Sequence, residues 1–201
     1  MSGYPTATVP RRLAHTRQIV CSGYVRDDGL YDIEARMTDT KGYRSDLLLK
    51  VLPAGAPLHD MWLTITVDAG LVIRAACART EAAPAPHCTE VNAAYAKLVG
   101  IRISGGFMKE VRARVGGTPG CTHLTELLGP MATTAFQTIM GLRSIEDQAS
   151  ARAGGDDAPP LPLLDTCHTW RAEGEVVRIV RERASQRQAQ DSAAMAEGND
   201  A

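Results

Sequence analysis

The chain has 201 residues, of which 44% are hydrophobic and 22% charged, close to the globular average, and that length supports one domain with a real core. Lys plus Arg number 22 against 23 Asp plus Glu, a net charge of -1, so the basic excess of a nucleic-acid binder is absent, and aromatics at 4% are too few for base-stacking platforms. No apolar run approaches the ~18 residues of a membrane span, no apolar leader occupies the first ten residues, and the five cysteines are an odd number, which together predict a reduced cytoplasmic protein with free thiols.

Residues 1–14 are rich in turn formers and predict a loose arm. Arg17–Arg26 is β-prone, and Asp27-Asp28-Gly29 supplies a turn. Leu30–Asp39 then alternates, with Tyr31, Ile33, Ala35 and Met37 on one face, so the pair reads as a β-hairpin. Leu47–Leu52 reads as a short third strand. Met61, Leu63, Ile65 and Val67 mark one face of the clearest strand, Asp68-Ala69-Gly70 turns the chain, and Leu71–Thr80 returns as a further strand.

After residue 87 the period changes from 2 to 3.6. Val91, Ala94, Tyr95 and Leu98 predict a helix ended by Gly100; Phe107, Val111 and Val115 predict a second. Leu124, Leu127, Leu128, Met131, Ala135 and Ile139 predict a longer third, with a kink expected at Pro130. Strands first and helices later argue an α+β fold. The expected organisation is an arm over 1–14, one α+β domain over 15–142, a mobile linker over 143–163 and a C-terminal extension packed on the domain over 164–182, with Gly174–Val180 as a last strand. Residues 183–201 read as a frayed helix or disorder.

Histidine and cysteine fall beside the ends of these elements: His59-Asp60, His87-Cys88, Cys121-Thr122-His123 and Cys167-His168. Thiolate and imidazole are ligands for zinc and for iron. No compact metal motif is present, so any centre is assembled from distant segments. Cys121 also follows a glycine at a helix N-terminus, where the helix dipole would favour a thiolate, and with His123 it could serve as a nucleophile. Arg17 and Arg26 share the first hairpin with Asp32, Glu34 and Asp39; either arginine could anchor a substrate carboxylate, or the group could be a solvated face.

The segments HTRQIVCSGYVRDDGLYDIEARMTDTKGY, APLHDMWLTITVD and GGTPGCTHLTELLGPMATTAFQTI resemble a bacterial family known as a domain of unknown function. That resemblance implies that His59, Asp60, Cys121 and His123 lie in the family's most characteristic stretches. More distantly, residues 59–100 resemble the NifU/IscU-type iron–sulfur scaffold fold. His59-Asp60 stands where that family has a Cys-Gly-Asp, Cys88 where its second cysteine falls, and Gly120-Cys121-Thr122-His123 near its last ligand. The resemblance implies metal ligation by His59, Cys88 and Cys121, with His123, Asp60 or His87 as a fourth ligand or a supporting group. The histidine in place of the first cysteine favours one zinc or iron ion over a cluster.

The leading expectation is therefore a small metalloenzyme of hydrolase or lyase type, with Cys121, His123 and Asp60 in the chemistry. Arg17 or Arg26 would hold a small carbonyl or carboxylate substrate. Alternatives are a sulfur or iron–sulfur handling protein with Cys121 as acceptor thiolate, a metal-free thiol enzyme, and a non-catalytic domain. No nucleic-acid or membrane partner is expected; the first hairpin offers an edge that could pair in a homodimer.

Overall fold

The period-2 segments build one antiparallel sheet, and the period-3.6 segments cover one of its faces. The computed structural model describes residues 10–152 and 163–198. Parts of the expected arm (1–9), linker (153–162) and tail (199–201) lie outside the described residues. The chain divides into two compact units, Met1–Met140 and Gly141–Ala201.

In the first unit, β1 (His15–Val25), β2 (Tyr31–Lys41), β5 (Pro57–Val67) and β6 (Ile73–Ala82) form a sheet of order β1-β2-β5-β6, antiparallel throughout. The turn into β2 places Gly29 at φ 79, which costs a glycine nothing. Between β2 and β5 a small hairpin is inserted, β3 (Ser45–Asp46) and β4 (Val51–Leu52). Of the single strand expected over Leu47–Leu52, Val51 and Leu52 are strand and residues 47–50 are corrected to the turn between the two short strands. Its apolar run lacks the polar alternation that would pin a strand to the core, and Leu48 is left 98% exposed at the tip.

Alternation decides which side chains face inward. Ile33, Ala35 and Met37 from β2 and Met61, Leu63, Ile65 and Val67 from β5 are all fully buried. On β1 the inward residues are Ile19 and Cys21, packed against that core, and Gly23, where any Cβ would stand 2.0 Å from the Thr138 hydroxyl. The outward face is polar and carries Trp62, with the guanidinium carbons of Arg36 and Arg79 at 5.0 Å and 5.4 Å from its ring centroid.

The helical cover starts with 3₁₀ turns over Pro86–Thr89 and Asn92–Leu98, the latter burying Tyr95 and Leu98 where an α-helix was expected. Gly100 ends it at φ 87. Helix α1 (Phe107–Val115) buries Phe107, Val111 and Val115, the predicted stripe. Helix α2 (Thr122–Arg152) buries Leu124, Leu127, Leu128, Met131, Ala135 and Ile139. It passes through Pro130 and continues to Arg152, into the stretch from residue 143 onward where a mobile linker was expected.

The second unit contains turns over 163–174 and helix α3 (Glu175–Gly198). The strand expected over Gly174–Val180 is corrected to helix. Val176, Val177 and Val180 recur at helical spacing with Val177 buried, and Arg178 pairs with Glu182 four residues on at 2.7 Å. The fold class is α+β, as the pattern of elements predicted.

Candidate functional site

A polar centre sits where the apolar rows of the sheet's inner face give out. The inward phase of β2 (33, 35, 37) continues to Asp39, and that of β5 (67, 65, 63, 61) runs back to His59. The two are cross-strand partners in the β2–β5 ladder. Arg17 is the partner of Asp39 across β1–β2. Three neighbouring strands therefore place Arg17, Asp39 and His59 in one row. The register slips between Asp39 and Thr40, a bulge that leaves Leu58 as an extra residue beside His59. The start of α2 lies over this row with Cys121, His123 and Glu126.

Asp39 is the hub. Its side chain is 1% exposed. Oδ1 accepts from Arg17 Nε at 2.9 Å, and Oδ2 accepts from Arg17 Nη2 at 2.8 Å and from His59 Nδ1 at 2.8 Å. His15 Nε2 stands 3.2 Å from Oδ1. An ionised carboxylate only accepts, so His59 Nδ1 carries the hydrogen and a neutral ring leaves Nε2 as a lone pair. Burial alone would raise the Asp39 carboxyl, but hydrogen bonds from Arg17 and then His59 overcome it and hold it at about 2. Burial, with His123 second, lowers the His59 imidazole against the opposing pull of Asp39. The hydrogen bonds that Arg17 donates to Asp39 foremost raise Arg17 above its already high value.

His123 stacks on His59 with ring centroids 3.9 Å apart and planes tilted by 36°. Its Nδ1 lies 3.9 Å from Cys121 Sγ. The Tyr95 hydroxyl fixes the backbone of Cys121: it donates to the Cys121 carbonyl at 2.7 Å and accepts the Cys121 N–H at 3.1 Å. Among the described residues, Asp39, His59 and His123 form a group whose ligating atoms all lie within 4.8 Å of one another.

The sequence-predicted residues are sorted by this geometry. His59, His123, Cys121 and Arg17 come together. Asp60 does not: His59-Asp60 lies inside β5, where neighbours face opposite sides, and Asp60 accepts from Arg36 at 2.9 Å and 2.7 Å on the outer face. Cys88 sits half-buried on the turn Pro86–Thr89, and it does not belong to the Asp39–His59–His123 group. Its neighbour His87 is exposed and pairs with Glu90 at 2.8 Å. Arg26 is engaged by Asp28 and Asp32 at the opposite end of the β1–β2 ladder from His15. Cys167 is exposed in the second unit, and His168 there faces Arg171. The centre also includes Asp39, which the sequence reading left among the hairpin charges, and His15 at the start of β1. The signal for Asp39 was available: it continues the Tyr31–Met37 face, and an acid in an inward phase needs partners.

An α+β domain with a buried carboxylate–imidazole centre between sheet and helix is the class that fold and geometry define. The family described as Protein of unknown function (DUF2889) matches residues 15–137, and the chain belongs to that family. No curated protein matches the chain, and no solved structure does.

Proposed function

We propose that the centre binds one divalent zinc or iron ion through His59, His123 and Asp39. The observation that carries this reading is the convergence of these three donors, from β5, α2 and β2, within 4.8 Å. Two imidazoles and a carboxylate suit zinc and iron(II). Formal charge supports a cation as well, since Asp39 and Glu126 outnumber Arg17.

An ion bound at Nδ1 would take the place of the hydrogen between His59 Nδ1 and Asp39 Oδ2, and the neutral ring would carry its hydrogen on Nε2 instead. Donors about 2.1 Å from zinc stand roughly 3.4 Å apart at a tetrahedral angle. The 2.8 Å pair must therefore open slightly. Three protein ligands leave a position for water, and the ion would activate that water for a hydrolase or lyase step on a small carbonyl or carboxylate compound.

The test is metal content. Protein purified without a His tag or chelator, from metal-replete reducing medium, should hold about one zinc or iron per chain by elemental analysis. His59→Ala and His123→Ala should lose it. Asp60→Asn and Cys88→Ser should keep it. Metal-free wild type, or metal retained in His59→Ala, would overturn the reading.

One observation favours a second reading. The 3.9 Å approach of Cys121 Sγ to His123 Nδ1 suits a metal-free thiol enzyme with Cys121 as nucleophile and His123 as base. It requires metal-free protein whose Cys121 alkylates faster than Cys77, which is exposed.

A further inference from the structure

Arg17 is gripped by two carboxylates of opposite character. The Asp39 side chain is 1% exposed and takes Nε and Nη2, which fixes the plane of the guanidinium. The Glu126 side chain is 49% exposed, reaches down from the second turn of α2 and takes Nη1 at 2.6 Å. The first grip is structural. The second is an ion pair open to water, which contributes little and is readily exchanged.

We propose that Glu126 occupies the docking position of a ligand carboxylate: a small carboxylate anion binds Arg17 at Nη1 by displacing Glu126. This deepens the metal reading and rests on it for the ligand's role as substrate. Charge favours the exchange. Counting the imidazoles as uncharged, Asp39, Glu126 and Arg17 sum to -1. A divalent ion brings that to +1, and departure of Glu126 to +2, so an incoming anion restores what Glu126 removes. No bond is made or broken in this step.

The experiment titrates zinc-loaded full-length protein with sodium acetate by calorimetry at constant ionic strength, with acetamide as the uncharged control. Zinc per chain is measured on every sample. Glu126→Gln removes the internal competitor and should bind acetate about five-fold more tightly than wild type, the scale of one exposed ion pair. Acetamide should not bind. Arg17→Lys should weaken acetate binding in both backgrounds, and its thermal unfolding checks that it folds. Because Glu126 is on the surface, the Glu126→Gln comparison stands even where Arg17→Lys does not fold. Equal acetate affinity in wild type and Glu126→Gln, at one zinc per chain, overturns this inference and leaves the metal site intact. If zinc fails to bind, the metal reading fails, and the same comparison on metal-free protein decides the Arg17–Glu126 exchange alone.

Discussion

His59 and Asp60 are consecutive residues on opposite faces of the sheet: His59 donates to buried Asp39 inside, and Asp60 accepts from Arg36 outside. Equal substitutions at the two positions should therefore have unequal effects. Asp60→Asn loosens a surface ion pair and should cost no more than about 1 kcal/mol in urea unfolding. His59→Ala removes a buried ring stacked on His123 and leaves Asp39 short of a donor, and should cost about 2–3 kcal/mol.

Asp39→Asn should destabilise the first unit by about 2–3 kcal/mol in the same measurement. The amide still accepts one hydrogen bond, but Arg17 loses its fork and the charge that balances it. A variant as stable as wild type would mean that the cluster does not hold the sheet's end together.

Acid should weaken the fold in two steps. Unfolded His59 takes up a proton near its ordinary value of 6.5, whereas burial, then His123, moves that uptake lower in the folded chain. Between those two values the unfolded state binds more protons, so stability falls as pH drops below 6.5. Asp39 adds stability above its ordinary value of 3.8 that is lost as pH falls through about 2. Urea midpoints measured from pH 7 to pH 3 should show the first step vanish in His59→Gln and persist in Asp60→Asn.

Gly23→Ala should be destabilising although alanine is acceptable to a strand. Its Cβ would stand 2.0 Å from Thr138 Oγ1 and 3.0 Å from Thr138 Cβ. The hydroxyl is also bonded to the Thr134 carbonyl at 2.8 Å, so it does not swing away freely. Overpacking of this kind costs about 1–3 kcal/mol. Adding Thr138→Ala should recover part of the loss, because it removes the hydroxyl but not the Cβ.

Tyr95→Phe should loosen the start of α2. The hydroxyl serves both the N–H and the carbonyl of Cys121, and its loss should cost about 1–2 kcal/mol. The rate at which iodoacetamide labels Cys121 should rise, while labelling of exposed Cys77 should not change.

The sheet and its cover were legible because each was written in a single period. The 31–37 and 61–67 alternations named the buried faces of β2 and β5, and the stripes of α1 and α2 were read residue by residue. The ends of elements were harder. β5 begins at Pro57, several residues before its apolar alternation, so His59-Asp60 read as a pair just ahead of the strand when it is part of it. That shift removes Asp60 from the centre and brings in Asp39. Cys88 failed to join for a different reason: sequence proximity to an element end says nothing about which end of the molecule that end occupies. In α3, Val176, Val177, Ile179 and Val180 are β-prone residues at helical spacing, and spacing prevailed over propensity.

The stack of Arg36 and Arg79 around Trp62 gives the protein a built-in optical probe. The chain has two tryptophans, and they fall one to each compact unit: Trp62 in the first and Trp170 in the second. Replacing Trp170 with phenylalanine leaves an emission that reports the sheet alone, from the face opposite the histidines. Melting of the first unit can then be followed on its own, and the converse replacement of Trp62 follows the second, without attaching a dye.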